Sequence, residues 1–343
     1  MLFPKRHRIV CIGSASKDIF LPTDEGEILE TPEDIVAKRK VAFEVGSKCR
    51  VADRFEGIGG VAANVAQALA LLGIDVAVMT RIGRDDIGRF ILDGFRKRSV
   101  STDFVQIDPE TRSDLSAIIV LEKDGGERII FHNRDSNERL RIEDERFRGA
   151  EWIFASSLNG EWETKFRDIY EAAKRHGVRV ALNPGQHNLR GNPELMLERI
   201  AETDILILNK DEAIELILAS GRETDRERLD DERFLLASLR EAGAGTVAIT
   251  DGLRGAWAMD GECSYHADAV MVGHAKDTTG AGDAFAAAFF AARACFDRSL
   301  EDALRFGVVE SASVVTEYGT TAGHLLLDEL KSRAEGAHVE TLS

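Results

Sequence analysis

The stretch Asp277-Thr-Thr-Gly-Ala-Gly-Asp-Ala-Phe285, continuing into Ala286-Ala-Ala-Phe-Phe-Ala-Ala292, decides how this chain is read. Gly280, Ala281 and Gly282 are small enough for the backbone to turn sharply into the apolar helix that follows. The first turn of a helix leaves N–H groups without intrahelical partners, and these form a ready site for an anion. Asp283 falls at the rim of that site. A phosphate held by the amides and a hydroxyl facing the carboxylate are the two requirements of phosphoryl transfer to an alcohol. The plainer reading of the same residues is a turn whose Asp caps a helix. The remainder of the chain discriminates between the two.

The 343 residues carry 44 basic and 60 acidic side chains, a formal charge of −16, with 44% hydrophobic content. That is enough apolar material for one large α/β domain or a domain with an appendage. The negative charge disfavours nucleic acid and anionic membrane surfaces and favours a small-molecule partner. Cys11, Cys49, Cys263 and Cys295 are scattered without CxxC spacing, which implies reduced thiols and a cytoplasmic setting. The basic N-terminus, Met1 to Arg8, leads into too short an apolar run for a signal or a membrane span.

Ile9 to Ile12 reads as a buried first strand with its exit turn at Gly13 to Asp18, a position that faces a ligand crevice in α/β sheets. Helix and strand then alternate. Helices are predicted at 62–72, 87–98, 165–176, 234–242 and 303–316, and strands at 76–80, 152–155, 178–182, 205–208 and 246–250. This order implies a mostly parallel sheet covered on both faces. Two segments break the alternation. Lys40–Val45 with Lys48–Asp53, and Leu115–Leu121 with Arg128–Phe131 across Lys123–Gly126, predict antiparallel strands in insertions at about 19–56 and 112–134, a small sheet suited to act as a lid. The charged segment after Asp328 predicts a frayed tail over 331–343.

Five elements occur in a telling order: Gly13 to Asp18, Gly59-Gly-Val-Ala-Ala-Asn64, Asn209-Lys-Asp-Glu212, Thr250-Asp-Gly-Leu-Arg-Gly255 and the Asp277 to Phe285 run. On these motifs the chain resembles the ribokinase or PfkB family of carbohydrate kinases, over about residues 8 to 327. The resemblance implies a three-layer α/β sandwich with a mostly parallel central sheet and a small β-sheet lid, occupying 8–330. It also implies ATP-dependent phosphorylation of a primary hydroxyl of a sugar or sugar-containing molecule. Asp283 would be the general base and Gly280, Ala281 and Gly282 the anion hole. Ser16, Asp18, Gly59, Gly60 and Asn64 would bind the acceptor. Asp18 can accept from two hydroxyls at once, and the Asn64 amide can both donate and accept. The glycine pair would let the ligand approach the backbone.

The resemblance further implies that Asn209 and Glu212 organise Mg²⁺ through water, although the same spacing suits a capping box. Thr250, Gly252 and Gly255 would lie beneath the ATP, with adenine against Ala312 and Ser313. Asp277 matches a monovalent-cation site of part of the family, which makes K⁺ a candidate. Val61 stands where many of these kinases carry Lys, so an uncharged sugar or a nucleoside fits better than a sugar phosphate. Arg134 is a further candidate for contacting the acceptor. His132, His187, His266 and His274 have no metal-binding spacing. Exposed lid edges would allow two copies to pair as a homodimer.

Three alternatives stand beside the sugar kinase. One is a nucleoside kinase of the same family. A second is a catalytically silent sugar-binding regulatory relative, against which the intact Asp283 argues. The third is a dehydrogenase, since Gly57-Ile-Gly-Gly-Val-Ala62 also satisfies GxGxxA, but the charged run Arg50 to Glu56 ill suits a buried Rossmann strand.

Overall fold

Each strand of the central sheet places alternate residues on opposite faces, and the apolar runs seen in the sequence fill both. In Ile9–Ile12 all four residues are buried; Ile9 and Cys11 pack on one side, Val10 and Ile12 on the other. That two-sided burial is what a parallel strand between helical layers requires. The structure, a computed structural model, describes residues 8–31, 39–51, 53–121, 127–261, 263–271, 275–320 and 322–342. Met1 to His7, the turn Lys123–Gly126 and His274 lie outside the described residues.

Nine strands form the main sheet, in the order Val76–Met79, Ile9–Ile12, Trp152–Ser156, Arg179–Asn183, Ile205–Asn209, Thr246–Thr250, Ala256–Asp260, Cys263–Ala267 and Val339–Leu342. The first six run parallel and the last three add on antiparallel. One face is covered by the helices Val61–Leu71, Ala281–Ala294 and Leu300–Val314, and the other by Trp162–His176, Lys210–Ala219 and Glu232–Glu241. The fold is therefore a three-layer α/β sandwich. Ala281–Ala294 is its central helix, with ten of its residues buried. Phe285, Phe289 and Phe290 are almost wholly inaccessible and each contributes about 1.5–3 kcal/mol of burial. The helix that begins beside Asp283 is thus firmly anchored.

A separate four-stranded sheet has the order Glu127–Asn133, Asp114–Leu121, Ser16–Thr23 and Phe55–Gly59. It pairs Arg128 with Val120 and Phe131 with Ala117, as the sequence led one to expect. The first lid strand starts at Ser16 rather than after residue 18, so Ser16 and Asp18 lie on a strand with their side chains buried, not in an exit turn. The other expected hairpin is differently built. Arg39–Ala42 pairs with Glu27–Glu30, and the described part of Lys48–Asp53 is not a strand.

The tail also departs from expectation. Residues 327–334 form a helix that buries Leu330 and Ala334, and Val339–Leu342 pairs with Cys263–Ala267. The few buried apolar side chains among many charges suggested fraying, but the backbone of this segment satisfies its hydrogen bonds by completing the sheet edge.

Candidate active site

The helix Ala281–Ala294 starts abruptly because Gly280 takes a left-handed conformation, φ +85°. A side chain there would be strained and would press on Thr320, whose backbone lies 3.0 Å from the Cβ position. Asp277 fixes the loop leading in, its two carboxylate oxygens accepting from the Thr279 amide (2.9 Å) and the Gly319 amide (3.2 Å). The Ala281 amide makes one long bond, 3.4 Å, to the Thr278 carbonyl. The amides of Gly280 and Gly282 have no internal acceptor among the described residues. The anion site therefore has two open donors and one weakly held one, not three open donors.

Asp283 lies in the first turn, and its Oδ2 accepts from Asn64 Nδ2 at 2.7 Å. Burial pushes its carboxyl up to about 6, against the stabilising Asn64 bond and with the Asp18 charge adding to the rise. Asn64 is 3% exposed, and its Oδ1 has no partner. A buried unpaired carbonyl oxygen is costly unless a ligand hydroxyl completes it.

Asp283, Asn64, Gly60, Gly280 and Asp18 line one cavity of about 270 Å³. Asp18 is raised by burial, while the Ser16 hydroxyl, which donates to its Oδ1 at 2.8 Å, and Ser116 oppose the rise. Ser16 is fully buried and does not line the cavity, so it positions Asp18 instead of touching an acceptor. The Gly59 expectation is likewise corrected. A Cβ at Gly59 would fall 1.8 Å from Asp18 Oδ2, so the missing side chain makes room for the protein's own carboxylate. Gly60, φ +93°, has a similar origin, its Cβ position lying 2.4 Å from the Ser14 carbonyl oxygen. Arg134 is half-buried and lines the same cavity, as do His132 and His187. Ser14, Ser116, Ser157 and Asn159 line it too and were not identified from sequence. The parallel pairing of the lid strands, which the sequence does not disclose, sets Ser116 opposite Asp18.

A second cavity, about 240 Å³ and mostly apolar, is lined by Thr250, Gly252, Gly255, Phe285, Val308 and Ala312, among others, and reaches Ala281 and Gly282. Ser313 is not part of it. Its hydroxyl donates to the Gly323 carbonyl at 2.7 Å, and the helix face toward the cavity carries Val308, Ser311, Ala312 and Val315. A third, smaller cavity contains Asn209, Glu212, Thr250, Gly282 and Asp283. All three converge on residues 280–283.

Asn209 and Glu212 form the capping box: the Asn209 amide donates to Glu212 Oε2 (2.9 Å) and the Glu212 amide to Asn209 Oδ1 (2.8 Å). Burial pushes the Glu212 carboxyl up to about 7, opposed by the Asn209 amide, while Glu215, Asp283 and Asp211 add to it. A carboxylate so destabilised by its surroundings suits a nearby cation. Among the described residues no three His, Cys, Asp or Glu cluster as a metal site. A hydrated Mg²⁺ that takes only one or two protein ligands fits this donor set.

The lid meets the same loop. Arg128 donates to the Thr278 hydroxyl, the Thr320 hydroxyl donates to the Ile58 carbonyl at 2.6 Å, and Phe55 stacks on Tyr318 with centroids 4.5 Å apart.

Residues 6–325 match the pfkB family carbohydrate kinase description. The chain is similar to a ribokinase of Staphylococcus aureus (strain COL), 29% identical over 331 residues that cover 94% of this chain and 98% of that protein. Among solved structures it resembles Burkholderia thailandensis nucleoside kinase in complex with inosine, with a TM-score of 0.77, 20% identity, and 95% and 97% of the two chains covered. It also resembles Arabidopsis thaliana ribokinase complexed with ribose and ATP, with a TM-score of 0.75, 22% identity, and 96% and 99% covered. These neighbours share the ribokinase-like fold, and with the match running through nearly the whole sequence, this chain belongs to the pfkB family of carbohydrate kinases.

Proposed function

We infer that the protein transfers the γ-phosphoryl group of ATP to a primary hydroxyl of a sugar. The observation that carries this is the Asn64–Asp283 pair, a base and an unpaired acceptor at the mouth of a helix N-terminus where three cavities meet. The nucleotide base occupies the apolar cavity beside Ala312, with Thr250, Gly252 and Gly255 beneath. The acceptor lies between Asp18 and Asp283.

The alcohol oxygen forms its bond to the γ-phosphorus as the bond from that phosphorus to the bridging oxygen breaks, and ADP leaves. The hydroxyl proton passes to the Asp283 carboxylate as the transition state develops, because a group of this basicity cannot strip an alcohol beforehand. The amides of Gly280, Ala281 and Gly282 receive the charge on the transferring group. Glu212, beside Asn209, would hold a Mg²⁺ through water, and the ion would supply charge neutralisation there. If a K⁺ binds this loop, Asp277, which holds the loop through the Thr279 and Gly319 amides, would be the carboxylate that supports its site. The lid excludes water, its contacts to Thr278, Tyr318 and Thr320 supporting closure over the phosphate loop.

A sugar is favoured over a nucleoside because no Phe, Tyr or Trp among the described residues lines the acceptor cavity to stack on a base. The catalytic unit is assigned to residues 8–342, the terminal strand included. A cytoplasmic setting is supported by four free cysteines. No helix among the described residues is long and apolar enough to cross a membrane. Pairing of two copies through the edge strand Glu127–Asn133 would give a homodimer, which sedimentation would detect. The decisive test is ADP release from ATP across pentoses, hexoses and nucleosides. Turnover with no acceptor in such a screen, with ATP bound, would point to the silent relative.

A further inference from the structure

The acceptor cavity is lined by two acids, Asp18 and Asp283, and by one guanidinium, Arg134, together with His132 and His187. Arg134 enters the cavity from the end of the lid strand Glu127–Asn133, beside Ser116, whereas Asp283 enters it from the first turn of the central helix.

Its guanidinium is poorly satisfied. Both terminal nitrogens reach the Ser116 hydroxyl only at 3.4 Å, and one donates to the Asn133 carbonyl at 2.9 Å. Among the described residues no carboxylate lies within 4.0 Å of it. The nearby acids are weak counter-ions, because burial pushes Asp114 up to about 7 and raises Asp18 as well. A guanidinium stays protonated throughout, so a half-buried one facing a cavity without a close anion retains strong capacity for a planar, bidentate acceptor. The His132 and His187 imidazoles in the same cavity can add hydrogen bonds without adding an opposing negative charge.

We propose that the acceptor is a sugar acid, whose carboxylate docks on Arg134 while its far hydroxyl meets Asp283. The proposal rests on the kinase reading above and names its substrate class. It revises the expectation of an uncharged acceptor drawn from Val61, because the positive charge enters from the lid side at residue 134 instead. A carboxylate is favoured over a phosphate monoester because the site offers one planar fork and no second permanent cation.

The test compares kcat/KM for ATP-dependent phosphorylation of matched acceptors, D-ribose with D-ribonate, D-glucose with D-gluconate and 2-keto-D-gluconate, and D-fructose with D-fructose 6-phosphate. The expected result is a preference of at least about tenfold for a carboxylate acceptor over its neutral partner. Arg134→Gln is expected to reduce that ratio by about 10–100-fold, mostly through KM, as loss of a charge-assisted bidentate contact predicts. Equal or better use of the neutral sugars would overturn the proposal and leave the kinase reading intact. A preference for the sugar phosphate would overturn the carboxylate assignment. A preference for acids that survives in Arg134→Gln would remove Arg134 from the explanation and overturn the proposal in this form. No phosphorylation of any acceptor would count against the kinase reading itself.

Discussion

Replacing Asp283 by Asn tests the proposed base and its energetics together. The amide oxygen of the variant can still accept from Asn64 Nδ2, so the 2.7 Å contact and the start of the helix should survive. Only the proton acceptor is lost. Positioned general bases contribute about 10²–10⁴ in rate, so kcat should fall by that factor, with the apparent affinity for ATP changed less than about threefold. The wild-type carboxyl, at about 6, is some nine-tenths ionised at pH 7, and kcat/KM should fall about tenfold per unit below pH 6. The variant should lack this acid limb.

Stability should move the other way. The folded-state pKa lies above the unfolded value near 3.8, so wild-type protein is destabilised above pH 6 and regains stability as pH falls from about 6 to 4. Roughly two units correspond to about 3 kcal/mol, and partial solvent access reduces this to about 1–3 kcal/mol. Asp283→Asn should therefore melt higher than wild type at pH 7.5, by several degrees, and the gap should close by pH 4. Pre-steady-state ADP burst, initial rates across pH 5–9 and calorimetric melting check these statements. A variant with kcat within tenfold of wild type, or one that keeps the acid limb, would refute the base assignment.

Three further substitutions probe the surrounding cavities. Gly59→Ala places a methyl group on the Asp18 carboxylate, 1.8 Å from Oδ2, and should raise the acceptor KM by about tenfold or more while the ATP KM stays near wild type; steady-state kinetics with each ligand varied in turn checks this. Ala312→Phe fills the apolar cavity and should raise the ATP KM by about tenfold or more with little effect on the acceptor KM, read from the same assay. Glu212→Gln should raise the Mg²⁺ concentration for half-maximal activity about tenfold. In wild type that concentration should fall as pH rises through about 7, where the carboxylate ionises, and the variant should show no such trend.

The parallel half of the main sheet was legible because its strands are buried on both faces and so appear as unbroken apolar runs, as in Ile9–Ile12 and Ile205–Asn209. Its antiparallel edge was not. Val339–Leu342 carries polar, partly exposed side chains and exists as a strand only through pairing with Cys263–Ala267, at separations of 72 to 78 residues, such as His266 with Glu340. In the candidate site, glycines and acids could be located, but the direction of each group could not. Gly59 and Ser16 sit at the positions implied by the motif, yet both serve Asp18 from behind. Ser313 neighbours Ala312 in sequence, but one residue along a helix turns a side chain by about 100°, and that turn carries it to Gly323. Asn159 and Ser116 reach the cavity from separate elements, and no local pattern reports on such convergence.

The two raised carboxyls explain why the site suits this chemistry. Glu212 and Asp283 share a cavity, and the Asp283 charge is among those that raise Glu212. Near pH 7 burial leaves about half of Glu212 and about one-tenth of Asp283 protonated, so the site carries somewhat less negative charge than two ordinary acids would, and the phosphates of ATP meet less repulsion on entry. A cation bound beside Glu212 would lower both pKa values and favour the ionised form of each group. Binding of a metal nucleotide would in that way raise the ionised fraction of the proposed base. The same coupling requires proton release on metal-nucleotide binding around pH 6.5, and this follows from the burial of the pair instead of from any direct bond between them.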